Sequence, residues 1–87
     1  MQNITLEDIA QFINTGRKDL AYQVLSELNK QQTTAEMDNI LGVLYWKGEF
    51  YHEAIMSLQQ ALNKNPKNTT IQQNLRSILD QLGYKVD

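Results

Sequence analysis

Residues 15–28, TGRKDLAYQVLSEL, lie over residues 47–62, KGEFYHEAIMSLQQAL, when Ala21 is set on Ala54. Leu25 then falls on Leu58, Leu28 on Ala61 and Phe12 on Tyr45, each pair 33 residues apart. A unit of this length is one helical hairpin. It cannot bury its apolar face alone and must stack on its own copy, which narrows the fold to a helical solenoid.

Helix-period patterns fill nearly all of the chain, and no strand alternation interrupts them. Five helices are expected. The first covers residues 5–14, with Thr5 able to cap it and Gly16 to stop it. The second covers residues 18–29, with Ala21, Leu25 and Leu28 on one stripe. The third opens at TTAE, where Thr33 and Glu36 have capping-box spacing, and ends before Gly48. The fourth covers residues 51–64, with Ala54, Ile55, Leu58, Ala61 and Leu62 inward, and Pro66 forbids its continuation. The fifth begins at Thr69 or Thr70, each with a glutamine three residues on, and ends at Gly83.

These helices differ in how much of their surface is apolar. In the third, Ile40, Leu41, Leu44 and Tyr45 form one sector, and Val43 and Trp46 extend it round the cylinder. Such a helix must be flanked on more than one side. The fifth carries Ile71, Leu75, Ile78, Leu79 and Leu82 as a single stripe, with Gln72, Gln73, Arg76, Asp80 and Gln81 opposite. That is the pattern of a terminal lid.

At this point the sequence resembles the tetratricopeptide repeat family. In the unit 35–68, Leu41, Gly42, Tyr45, Ala54, Leu58, Ala61 and Pro66 stand at the family's spacing. Leu58 replaces a usual aromatic, and Asp38 stands where the signature tryptophan is expected. The unit 2–34 is degenerate: Phe12, Gly16, Ala21 and Leu25 fit, but Ile9 replaces the small glycine. Residues 69–83 would be the capping helix that ends such arrays. The resemblance implies an all-α, right-handed α-α superhelix of two tetratricopeptide-like hairpins plus a capping helix, in one domain over residues 1–87.

The physical reading of Gly42 stands without the family. A glycine inside a helix costs about 1 kcal/mol relative to alanine, so something must offset it. Gly42 and Ala54 are small where two antiparallel helices approach, and Ala61 extends the same contact. A larger side chain at Gly42 would force the helices apart.

Catalytic chemistry finds no foothold. His52-Glu53 begins like the zinc motif H-E-x-x-H, but Met56 stands where the second histidine belongs, and His52 is the single histidine of the chain. No metal site or catalytic triad can be built on it. Ser26, Ser57 and Ser77 lie in amphipathic helices without a nucleophile-elbow turn. The carboxylates Glu7, Asp8, Glu49, Glu53 and Asp80 are scattered, and Gly16 and Gly48 are isolated loop glycines. No enzyme and no cofactor are expected.

Composition narrows the partners. A net charge of −2 offers no basic footprint for nucleic acid or an anionic membrane surface. With no cysteine, no signal-like N-terminus and no membrane-length apolar run, a reducing cytoplasm is the expected setting.

In the family, the first helix of each hairpin lines a concave groove for an extended or helical peptide. Carried over by position, the groove residues are Leu6, Ala10 and Ile13 from the first helix, Glu36, Asn39, Val43, Trp46 and Lys47 from the third, and Gln73, Ser77 and Asp80 from the last. The resemblance thus implies a non-catalytic module that binds a protein or peptide. Trp46 either anchors that partner or packs between helices. Some family members grip a C-terminal carboxylate with a lysine–asparagine–arginine clamp; here Leu6, Ala10 and Val43 occupy clamp-lining positions and only Asn39 is suitably polar, so a chaperone-tail receptor is not expected. Two alternatives stay open. One is a homodimer module, because Ile4, Leu6, Ile9, Phe12 and Ile13 give the first helix more apolar surface than one hairpin partner can cover. The other is an accessory segment of a larger protein or enzyme complex.

Overall fold

Side chains and backbone turns set the helix boundaries. The computed structural model describes residues 4–84, and among them are five helices: α1 (Leu6–Asn14), α2 (Lys18–Asn29), α3 (Ala35–Lys47), α4 (Tyr51–Lys64) and α5 (Thr69–Gln81). Thr5 caps α1 in a full capping box: its hydroxyl accepts from the Asp8 N–H at 3.2 Å, and its own N–H donates to the Asp8 carboxylate at 2.9 Å. The α3 start differs from expectation. Thr34, not Thr33, is the cap and accepts from the Met37 N–H at 3.1 Å, because the Thr33 hydroxyl is committed to the Asp38 carboxylate. At α5 the cap is Asn68, which accepts from the Ile71 N–H at 3.1 Å. No threonine–glutamine box forms there, and Gln72 instead donates to the Pro66 carbonyl at 2.8 Å.

Three helices end alike. Arg17, Phe50 and Tyr84 donate their N–H groups back to the carbonyls of Phe12, Tyr45 and Leu79 at 2.7, 2.9 and 2.9 Å. This is the Schellman closure, which places one residue in the left-handed region. Gly16 and Gly83 fill that place at φ of +83° and +86°, but after α3 it is Glu49, at φ of +67°. Gly48 precedes it at φ of −82°, and its missing side chain serves space instead: a Cβ there would stand 2.7 Å from the Phe50 ring.

The core draws on all five helices. Ile9, Ala21, Leu25, Leu41, Ala54, Leu58, Ala61 and Ile78 are fully buried, with Ile13, Leu44, Tyr45 and Ile71 nearly so. Six of the seven repeat-signature residues are therefore interior, and Pro66 is exposed just beyond α4. α3 touches all four other helices, which is why its apolar residues run round the cylinder. The whole measures 45 × 26 × 17 Å, and the shortest dimension leaves room for about two helix layers.

The two hairpins are not equally tight. α3 and α4 pack along far more of their length than α1 and α2. The residue 33 positions before Gly42 is Ile9, buried at the corresponding place. A branched side chain fills that place in α1, whereas Gly42 lets α4 come down onto the α3 backbone. A Cβ on Gly42 would lie 2.7 Å from Leu58 Cγ and 3.3 Å from the Ala54 carbonyl oxygen.

Polar side chains tie the hairpins together at a constant sequence offset. Lys18 pairs with Glu49, Tyr22 donates to Glu53 at 2.8 Å, and Lys64 donates to the Thr33 carbonyl at 2.6 Å, each pair 31 residues apart. α3 and α5 are joined likewise at an offset of 35, through Asn74 to Asn39 at 2.9 Å and Trp46 to Gln81 at 2.7 Å.

Candidate functional site

Tyr45 and Trp46, adjacent on α3, do separate work. Tyr45 is 1% exposed and packs edge-on to Tyr22 and Phe50, with ring centroids at 6.1 and 6.4 Å. Tyr22 and Phe50 sit closer still, at 4.9 Å. The aromatic cluster thereby fastens α2 to α3 and to the turn that enters α4. Acceptance by the Glu53 carboxylate raises the Tyr22 phenol above its ordinary value of 10.0, and burial raises Tyr45 from the same value. Folding thus favours both protonated phenols, so their contribution is complete below about pH 10 and is lost as pH rises through the folded values. A spectrophotometric titration is expected to show two late phenol ionisations, one removed by Tyr22→Phe and one by Tyr45→Phe. Glu53→Gln should return the first toward the ordinary value; the idea fails if Glu53→Gln leaves the curve unmoved.

Trp46 faces another way. Its indole N–H donates to Gln81 Oε1 at 2.7 Å, and Gln81 Nε2 donates on to the Tyr51 hydroxyl oxygen at 3.2 Å. This chain of bonds links α3, α5 and the start of α4. Beside it opens a cavity of about 500 Å³ lined by Val43, Trp46, Lys47, Glu49, Tyr51 and Gln81. The Glu49 charge is matched by Lys18, whose ammonium holds the carboxyl below the ordinary glutamate value. Lys47 is exposed and makes no ion pair among the described residues.

The expected groove residues divide into three groups. Val43, Trp46 and Lys47 come together at the cavity. Glu36, Gln73, Ser77 and Asp80 are exposed on α3 and α5, and Asn39 is tied to Asn74. On α1, Leu6 and Ala10 are half-buried against the core, and Ile13 is only 8% exposed. Ile13 is therefore a core residue, not a wall, because α1 rests on both α2 and α3. That double contact also covers most of the apolar α1 surface: Ile9 is buried, Phe12 half-buried, and Ile4 alone of the five stays largely open, at 48%.

Sequence reading missed Tyr51, Glu49 and Gln81 as cavity residues. No spacing singled out Gln81: it stands 35 residues from Trp46, off the 33-residue offset of the two similar segments, and a glutamine on an expected polar face does not stand out. His52 is exposed near the start of α4, and Ser57 is buried without a hydrogen-bond partner among the described residues. No group of three or more His, Cys, Asp or Glu among the described residues is placed to hold a metal ion, and no described helix is long and apolar enough to cross a membrane. Compared with protein-family models, curated proteins and solved structures, the chain matches none of them.

Proposed function

We propose that the chain is a non-catalytic protein-interaction module, a right-handed stack of two tetratricopeptide-like hairpins with α5 as the cap, that receives a peptide or protein segment on the face carrying Val43, Trp46 and Lys47. The observation that carries this reading is the Trp46 cavity. At about 500 Å³ it falls within the range of binding pockets. Its aromatic wall is already held in place by the Gln81 bond, so a partner need not bear the cost of ordering that ring. The adjacency of α3 to both α1 and α5 supports the same reading, since a groove needs its lining helices side by side. The absence of cysteine fits a reducing compartment, and the cytoplasm is part of the proposal.

The test is affinity capture from native cell extract, run with the wild-type chain and with Trp46→Ala. The recovered proteins are expected to be depleted at least severalfold by the substitution, as for an aromatic hot spot. An unchanged set would remove Trp46 from the docking surface.

A further inference from the structure

We infer that the occupant of the Trp46 cavity is a peptide segment carrying a large apolar side chain with a carboxylate beside it. The inference rests on the docking reading and adds the chemistry that the occupant must have. It comes from counting which polar groups at the cavity are already spent. The Trp46 N–H is given to Gln81, so the indole offers only its ring. Gln81 gives a proton to the Tyr51 oxygen, and the Tyr51 O–H has no acceptor among the described residues. Glu49 is matched by Lys18. Lys47 stands exposed, without an anionic partner among the described residues.

What remains is an apolar wall, Val43 and the Trp46 ring, bordered by two unspent donors, the Tyr51 hydroxyl and the Lys47 ammonium. Donors without acceptors select an acceptor-only group, and one ammonium with one phenol matches a single carboxylate. A phosphate dianion would find no arginine in the cavity lining for bidentate contact. The apolar wall then requires a hydrophobic side chain next to that carboxylate, one to fill the hollow and one to sit at its rim. Asp80, exposed on α5 next to Gln81, is not part of the lining, so the charge at the mouth is set by Lys47. Lys47 also suits the C-terminal turn of α3 electrostatically, but that role consumes none of its donors.

The test selects peptides from a random dodecapeptide library on the full chain and measures the enriched ones by the fluorescence of Trp46, the single tryptophan. Enriched peptides are expected to carry Asp or Glu within two residues of Leu, Ile or Phe. Exchanging that acid for its amide, or Lys47→Gln in the chain, should weaken binding by about three- to fivefold, the range of an exposed charge pair. The two changes together should cost little more than either, and Lys47→Arg should retain binding. The thermal midpoint of Lys47→Gln should match the wild type, since Lys47 is solvent-exposed. Peptides that need Trp46 but are indifferent to their acid and to Lys47→Gln would overturn the inference and leave the docking reading standing. If no peptide is enriched, or if Trp46→Ala changes nothing, both readings fall.

Discussion

Gly42→Leu should lower the thermal midpoint by about 10 °C. Overpacking a filled interior costs up to about 3 kcal/mol, and replacing a helical glycine returns about 1 kcal/mol, leaving a loss of about 2 kcal/mol. In a domain of this size each kcal/mol is worth about 4–8 °C. The obstacle is firm, because a Cβ at position 42 meets Leu58 at its branch carbon, 2.7 Å away, and the Ala54 backbone oxygen at 3.3 Å. Leu58 is fully buried and has nowhere to retreat. Gly42→Ala should cost less, as helix propensity recovers most of what the clash takes. Adding Leu58→Ala to Gly42→Leu should restore part of the loss, with clear non-additivity. Calorimetry on the three variants decides the matter: a midpoint for Gly42→Leu equal to the wild type would mean that α3 and α4 do not need this close approach.

The second large effect is expected at Lys64. Asp38 is fully buried and accepts from the Lys64 ammonium at 2.7 Å and from the Thr33 hydroxyl. Lys64 spends its remaining protons on the Thr33 carbonyl and hydroxyl oxygens, at 2.6 and 3.1 Å. One cation therefore fastens the α2–α3 loop to the end of α4. Lys64→Met would leave a buried carboxylate without its counter-charge, a change that costs about 3–5 kcal/mol in a closed interior. The Lys64 side chain is 42% exposed, so water screens part of this, and a loss of about 2 kcal/mol is expected. Replacing Asp38 by leucine in the Lys64→Met background should recover much of the stability, since an apolar pair of similar volume avoids the desolvation penalty. Urea unfolding of the single and double variants would show this; a single variant as stable as the wild type would mean that the network contributes nothing.

The helices were legible in the sequence because their signals are local. Apolar spacing set α2 and α4 to the residue, and the glycines at positions 16 and 83 closed α1 and α5. What the sequence hid were choices between equivalent neighbours. Thr33 and Thr34 can each cap α3, and only the burial of Asp38 decides between them. Gly48 has the look of a left-handed closing residue, yet Glu49 takes that backbone position because the Phe50 ring needs the space above Gly48. At an exposed site a non-glycine residue there costs about 1–2 kcal/mol, and the Lys18 pair lies on the same residue. Asp38 itself stood as a departure from a resemblance, and its role became visible only with Lys64, 26 residues away. At the candidate site, Trp46, Val43 and Lys47 could be named from their place on α3. Tyr51 and Gln81 could not, since both join the cavity through hydrogen bonds that helical periodicity does not report.

That α3 borders every other helix has a consequence for how the molecule comes apart. The rim helices α1 and α5 can each lift away at the expense of their own seams, while loss of α3 strips the neighbours of their shared support at once. Opening should therefore be graded from the ends and cooperative at the middle. A guest lodged against Trp46, which straddles α3 and α5, would clamp down the very edge that loosens first.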